Sequence, residues 1–390
     1  MRLMSPKMPW IWQQPDWPRL SVDAQRIAPD LALAHRWWGV LEGKVAAIGL
    51  PSGQQIVLEA WADEVLATAE IEGQRLPLEA VRSSVMRRLG LSQSPGPQDR
   101  HVDGLVEVLG DASTAFQQPL TEDRLCRWQS ALFPGGVSGI QRIAVGRLRD
   151  HDDPMQIVSG TLGREVVHYE APPSKQVGRE LQQFLDWFAA TTPPPSAPSA
   201  SGMDALVRAA LAHLWFESIH PFEDGNGRIG RAIVDMTLAQ HMGQPLRLCS
   251  LSRQLMRFRK DYYDALNQAQ RGPCDVSLWV QWFAQQWAQA CQSASQVIDQ
   301  VILKRRFWET HADINLHERQ RKVLQRLLDD GDGGFLGGLN ADKYMRMTGV
   351  SKATATRDLS QMARAGQLRS HGVGKAVRYV VNVPEWTHGL

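Results

Sequence analysis

The window His220-Pro-Phe-Glu-Asp-Gly-Asn-Gly-Arg-Ile-Gly-Arg231 gathers an imidazole, two carboxylates, three glycines, an Asn and two guanidiniums in one short stretch. An imidazole, with an ordinary pKa of roughly 6.5, is the group suited to take a proton from an incoming hydroxyl near neutral pH. Gly225 and Gly227 permit a tight turn, and the following RIGRAIVDMTLAQ reads as a helix. A glycine turn entering a helix N-terminus is an anion site, because unpaired N–H donors and the helix dipole converge there. Arg228 and Arg231, three residues apart, share a face of the first turn and can hold further phosphate oxygens, which suits a polyphosphate. Asp224 supplies the hard oxygen that a Mg2+ bridging those phosphates requires. Phe222, apolar among charges, reads as an anchor into the core. Base, metal ligand and phosphate cradle thus lie within one window.

The elements that position this window read as helices. DALVRAALAHLWFESIH has an acidic start at Asp204 and a continuous apolar character, which predicts a buried helix delivering His220 at its end. Apolar residues at helical spacing run from about Ser21 to Leu91, with a helix ended near Gly73, and a second all-helical stretch is expected from about Asp111. Val276 to Phe307, rich in Trp, reads as another core-facing helix or pair of helices. Between these stretches, MQIVSG (155–160) and REVVHYEA (164–171) change to β-branched texture and predict a hairpin. TTPPPSAPSASG (191–202) is a surface loop.

The bulk composition excludes little. Lys and Arg number 43 against 41 Asp and Glu, a net charge of +2 that points to neither nucleic acid nor membrane, so any basic surface must be local. The four cysteines are widely spaced with no CxxC pair, which predicts free thiols rather than a disulfide framework or zinc site. No apolar run is long enough for a bilayer span, and the N-terminus lacks a signal-peptide pattern; the expectation is a cytoplasmic protein without membrane contact.

The motif matches without a gap the signature of the Fic (filamentation induced by cAMP) family, His-x-Phe-x-Asp/Glu-Gly-Asn-Gly-Arg-x-x-Arg, and the resemblance extends from about Gln118 to Trp287. It implies a mainly α fold, with a helical Fic core, a β-hairpin flap and an N-terminal helical domain, and the C-terminal residues separately resemble a winged helix-turn-helix. The Fic resemblance implies transfer of AMP from Mg-ATP to a Ser, Thr or Tyr hydroxyl of a target protein, with self-modification included. On this resemblance His220 is the general base and Asp224 the Mg2+ ligand. Asn226 contacts the α-phosphate, Gly225 and Gly227 form the anion hole with Phe222 beside them, and Arg228 and Arg231 hold the β- and γ-phosphates. Gly227 stands where the phosphorylating branch of the family carries Lys, which favours adenylylation. The hairpin falls where the family carries the flap that takes up a target strand.

TAEIEG (68–73) is similar to the family's inhibitory motif, with Thr68, Glu72 and Gly73 at its fixed positions. A Glu72 carboxylate beside Arg231 would occupy the partner meant for phosphate. The resemblances place an N-terminal helical domain with this motif at 1–110, the catalytic core at 111–305 and the winged helix-turn-helix at 306–390. In the last, Ser351 caps a recognition helix over 353–365 closed by Gly366, and 369–381 forms the wing. Lys343, Arg346, Lys352, Arg357, Arg364, Arg369, Lys375 and Arg378 outnumber Asp342 and Asp358 there, a local basic surface fit for DNA, for a protein partner or for a homodimer. Three functions stay open at this stage. They are an autoinhibited adenylyltransferase, a DNA-binding regulator whose core senses nucleotide, and a de-AMPylase in which Glu72 orients water.

Overall fold

The computed structural model describes residues 9–48, 50–91, 98–159, 166–196, 202–245, 249–332, 335 and 337–386, with backbone alone at 48, 50–56 and 375. The chain divides into two compact units, residues 1–295 and 296–390.

The first unit opens with a 3-10 turn, Ile11–Gln13, and continues through α1 (Ala24–Ile48), α2 (Leu50–Ile71), α3 (Leu78–Arg88), α4 (Arg100–Thr114) and α5 (Glu122–Leu132). Two hairpins follow, β1 (Val137–Ser138) with β2 (Gln141–Arg142), and β3 (Gln156–Ser159) with β4 (Val166–Glu170), both antiparallel. Then come α6 (Ser174–Ala190), α7 (Ala205–Ile219), α8 (Asn226–Met242), α9 (Leu251–Arg257), α10 (Arg259–Gln270) and α11 (Ser277–Thr310).

The core centres on α7 and α8. Nearly every residue of both is buried, so neither has a solvent stripe and both are surrounded by other helices. A short loop joins them, so they pack as antiparallel neighbours, flanked by α2, α4, α6 and α10. Aromatic rings fill the space around α7: Phe184, Trp187 and Trp215 meet with centroids 5.3–6.2 Å apart, and Trp279 stacks on His213 at 5.9 Å. Polar side chains start several of the helices. Asp204 accepts from the N–H groups of Leu206 and Val207 (2.8 and 3.2 Å), and Thr121 from Arg124 (3.2 Å), which satisfies donors a helix start leaves open.

Two details depart from the sequence expectations and a third chooses between them. The helical stretch expected from Asp111 begins at Arg100, because Asp99 caps it by accepting from His101 and Val102. Residues 277–310 are one 34-residue helix rather than a choice between one and two. The β1–β2 hairpin was not expected; two residues per strand are too few for alternation to show. The longer hairpin is present with a register shift between Ile157 and Val158, and its expected turn lies outside the described residues.

The second unit has its own core. α12 (Glu318–Asp330), α13 (Ala341–Thr348) and α14 (Lys352–Arg364) precede β5 (Leu368–His371) and β6 (Arg378–Val381), an antiparallel hairpin. Val323, Leu324, Leu327, Tyr344, Leu359, Met362 and Trp386 are among the side chains that bury each other there. Ser351 caps α14 by accepting from Thr354 N–H at 3.3 Å, and Gly349 and Gly366 take the left-handed conformation beyond α13 and α14.

All four cysteines are free thiols. Among the described residues no helix is long and apolar enough to cross a membrane.

Candidate functional site

The predicted window forms the loop between α7 and α8. His220 ends α7 in the left-handed conformation (φ 50°, ψ 61°), costly for a residue with a side chain, so something must impose it. Arg149 does. Its buried guanidinium donates to the carbonyls of His220 (2.8 Å), Ile219 (3.3 Å) and Pro172 (2.5 Å) and to Ser174 Oγ (3.0 Å), while its own N–H meets Pro221 O at 3.0 Å. Nothing around position 149 in sequence announces this role; the contact spans 71 residues.

The loop then folds on itself. Asn226 Nδ2 donates to Phe222 O (2.8 Å) and Asn226 Oδ1 accepts from Phe222 N–H (3.0 Å), while the Phe222 ring is fully buried. Both amide atoms of Asn226 are thereby engaged in closing the loop. Glu223, for which the sequence suggested no role, accepts from Ala144 N–H at 2.9 Å and ties the loop to the segment after β2. Gly225 takes φ +92° at the start of α8, so the turn does require glycine there. Gly227, in contrast, is ordinary helix. Its requirement is space: a Cβ would lie 2.4 Å from Glu72 Oε1.

Electrostatics suit proton transfer. Burial, with Arg149 adding to it, pushes the His220 imidazole down to about 4, so the ring is neutral near pH 7 and able to accept a proton. Its Nδ1 is buried without a hydrogen-bond partner, 3.8 Å from Glu217 Oε2. Glu217 is itself pushed up to about 8 by burial, and His213, bonded through Nε2 to Tyr262 Oη at 2.8 Å, down to about 3. The two tyrosines of KDYYDAL thus divide, Tyr262 packing in the core and Tyr263 lying under the Arg259 guanidinium at 5.3 Å.

Asp224 is 39% exposed at the mouth of the loop, where its carboxylate accepts from the Ser138 hydroxyl and from Gly225 N–H. Arg228 and Arg231 are buried on the first two turns of α8, 4% and 3% exposed. Both retain a buried nitrogen without a partner, Arg228 Nε and Arg231 Nη1, so the pair forms a cradle with donors open to an anion.

The end of α2 fills that cradle. Arg231 donates to Glu72 Oε1 (2.8 Å), to Thr68 Oγ1 (2.7 Å) and to Thr68 O (3.0 Å). Burial works against the Arg231 charge, but Glu72 outweighs it and holds the guanidinium above its ordinary range. Arg228, whose charge burial disfavours, takes a hydrogen bond to Gln74 Oε1 at 3.2 Å and lies over the Phe133 ring at 4.8 Å. Helical spacing puts Thr68 and Glu72 on one face of α2, and Gly73 at φ +78° closes the helix behind them. His220, Phe222, Asp224, Gly225, Asn226, Gly227, Arg228 and Arg231 therefore converge with Thr68 and Glu72 at one site.

Comparison with known proteins agrees with this geometry. Residues 119–238 match the Fic/DOC family, and residues 10–91 match a domain of unknown function (DUF4172). The chain is 24% identical over 230 residues to a protein adenylyltransferase Fic of Nematostella vectensis, covering 57% of this chain and 47% of that one. It is 27% identical over 104 residues to a probable protein adenylyltransferase of Aquifex aeolicus, covering 27% of each. The chain thus spans about half or less of the length of these curated relatives. In fold it is similar to a crystal structure of a Fic family protein from Desulfovibrio desulfuricans G20, over 94% of this chain and 98% of that one, with a TM-score of 0.52 at 18% identity. The loop that closes on His220 and the start of the helix at Asn226 lie within the stretch that matches the Fic/DOC family, and over a wider stretch the chain is similar to protein adenylyltransferases.

Proposed function

We propose that the chain is a protein adenylyltransferase restrained by its own N-terminal helix. The observation that carries this reading is the occupation of Arg231 by Glu72 and Thr68 in a loop that also presents a neutral imidazole. A nucleotide sensor has no use for a base at that place.

In the transfer, the target hydroxyl oxygen attacks the α-phosphorus of ATP, the bond to the β-phosphate oxygen breaks, pyrophosphate leaves, and the hydroxyl proton passes to the His220 imidazole. Arg228 and Arg231 bind the phosphate tail and the N–H groups at the start of α8 face its charge. Among the described residues no group of three or more His, Cys, Asp or Glu stands ready for a metal. A lone exposed carboxylate still fits Mg2+, which takes one or two protein oxygens and completes its shell with phosphate and water. Asp224 would hold it, and the ion would neutralise phosphate charge. The β3–β4 hairpin would take up an extended segment of the target, in the cytoplasm, by strand addition.

The test is transfer of label from α-labelled ATP by Glu72→Gly and by Glu72→Gly/His220→Ala. Labelling that rises in the first variant and vanishes in the second supports the reading; equal or lower labelling in Glu72→Gly than in wild type refutes it.

A second reading concerns the C-terminal unit, taken as a winged helix-turn-helix that contacts duplex DNA. It rests on the exposed face of α14, where Lys352, Ala353, Thr356, Arg357, Gln361 and Arg364 face solvent. The helix's one carboxylate, Asp358, is buried and held by Arg319 (2.6 Å) and Tyr344 Oη (2.9 Å). A face of cations, amide and hydroxyl without an acid suits a polyanion and its base edges. Salt-dependent retardation of duplex DNA by the full chain, weakened in Arg357→Ala/Arg364→Ala, tests it; no retardation at low salt overturns it.

A further inference from the structure

The end of α2 holds two arginines, not one. Its stop has a defined geometry: Gln74 N–H bonds Ala69 O at 3.0 Å and Gly73 N–H bonds Glu70 O at 2.9 Å, with Gly73 left-handed. This pair of bonds is the Schellman closure, and it turns the chain so that the residues on both sides of Gly73 face the same way. Glu72 meets Arg231, and Gln74 meets Arg228. Ile71 O accepts from Arg259 Nε at 2.8 Å, which fixes the closure from the α10 side. Among the described residues the Gln74 bond is the one hydrogen bond to the Arg228 guanidinium, whose Nε is buried without a partner.

We infer that Gln74 is a specificity-determining residue of the nucleotide site, a second tether that guards the diphosphate part of the cradle while Glu72 guards the terminal phosphate. This rests on the adenylyltransferase reading. Arg228 lies one turn nearer the start of α8 than Arg231, so a tail of two phosphates reaches Arg228 and a third phosphate is needed to reach Arg231. A nucleoside diphosphate therefore competes with Gln74 and with the Asp224 carboxylate, 3.6 Å from the Arg228 guanidinium, but not with Glu72. A nucleoside triphosphate competes with Glu72 as well, and with Glu72 more strongly than with Gln74, because a carboxylate–guanidinium bond exceeds an amide–guanidinium bond. The inhibited site would then discriminate by tail length: Glu72 excludes the substrate more than the shorter nucleotide, and Gln74 sets how much of the latter is admitted.

The experiment is calorimetric titration of Mg-ADP and Mg-ATP into the full chain carrying His220→Ala, so that no turnover depletes the nucleotide. By removing one part-buried hydrogen bond to a charged group, Gln74→Ala is expected to tighten ADP by about three- to ten-fold. Gln74→Glu converts the tether to an ion pair and should weaken ADP instead. Glu72→Gly is expected to tighten ATP by more than it tightens ADP. If ADP affinity is the same in Gln74→Ala, Gln74→Glu and the parent while Glu72→Gly still tightens ATP, the second tether is overturned and the parent reading stands. If no variant binds either nucleotide, both fall. Because Gln74→Ala and Gln74→Glu have opposite expected signs, a loss of fold in either, which would weaken both nucleotides together, is distinguishable from the tether.

Discussion

Two pairs of arginines sit on helix faces in this chain under opposite conditions. Arg228 and Arg231 on α8 are buried, and their charges are occupied by the end of α2. Arg357 and Arg364 on α14 face solvent, and the acid on their helix is turned inward and neutralised. The side chain is the same in both places; the difference is whether another segment of the chain folds over it. A covered pair can be specific and switchable, since burial makes each lost partner costly and lets a carboxylate compete with a phosphate. An open pair can act only through summed, screened attraction.

Replacing one arginine of each pair tests that contrast. Arg231→Ala in the Glu72→Gly background should reduce label transfer by about 100-fold or more, as removal of a charged phosphate donor does, while Arg357→Ala leaves it unchanged. Equal effects in the two variants would break the comparison. Thermal unfolding sharpens it. Arg208, fully buried and bonded to Gln240, Phe188 O, Thr191 and Thr192, should lose about 3 kcal/mol on conversion to Ala, against less than about 0.5 kcal/mol for Arg364→Ala.

Burial also sets a pH dependence. The His220 imidazole must be neutral to act, and burial with Arg149 nearby holds it at about 4. Transfer by Glu72→Gly should therefore stay level as pH falls through the ordinary imidazole value of about 6.5 and decline only below about pH 5. A half-loss at pH 6.5 in the rate profile would show that the ring titrates as if exposed.

Smaller effects are expected at the closure of α2 and on the open face. Gly73→Ala meets no atom within 4 Å but must adopt φ +78°, a strain of about 1 kcal/mol, so label transfer should rise only a few-fold. No rise would mean that the closure does not position Glu72. On α14, Arg357→Ala should lower the slope of log affinity against log salt for DNA by about one.

What the sequence discloses and what it hides follow one physical division. His220, Asp224, Gly225, Arg228 and Arg231 are legible because one loop and one helical turn fix their mutual geometry, so spacing carries the chemistry. The hairpin of the second unit and the cap of α14 by Ser351 are local in the same sense. Arg149, Glu223 and Gln74 escape notice because their partners lie 71, 79 and 154 residues away and no spacing rule reaches that far. Gly227 is legible for the wrong local reason. It reads as part of a turn, yet its backbone is helical and the demand on it comes from Glu72. The start of α4 was misplaced because Asp99 follows the segment 92–97, which has no helical periodicity to extend into.

Thr68, on the last turn of α2, and Glu72, just past its end, meet one guanidinium, so the contact depends on angular phase as much as on chemistry. A single residue inserted between them would rotate the carboxylate by about 100° around the helix while leaving every side chain of the motif intact. On the proposed reading, changes in chain length at this point, more than changes of residue type, would free Arg231 for good.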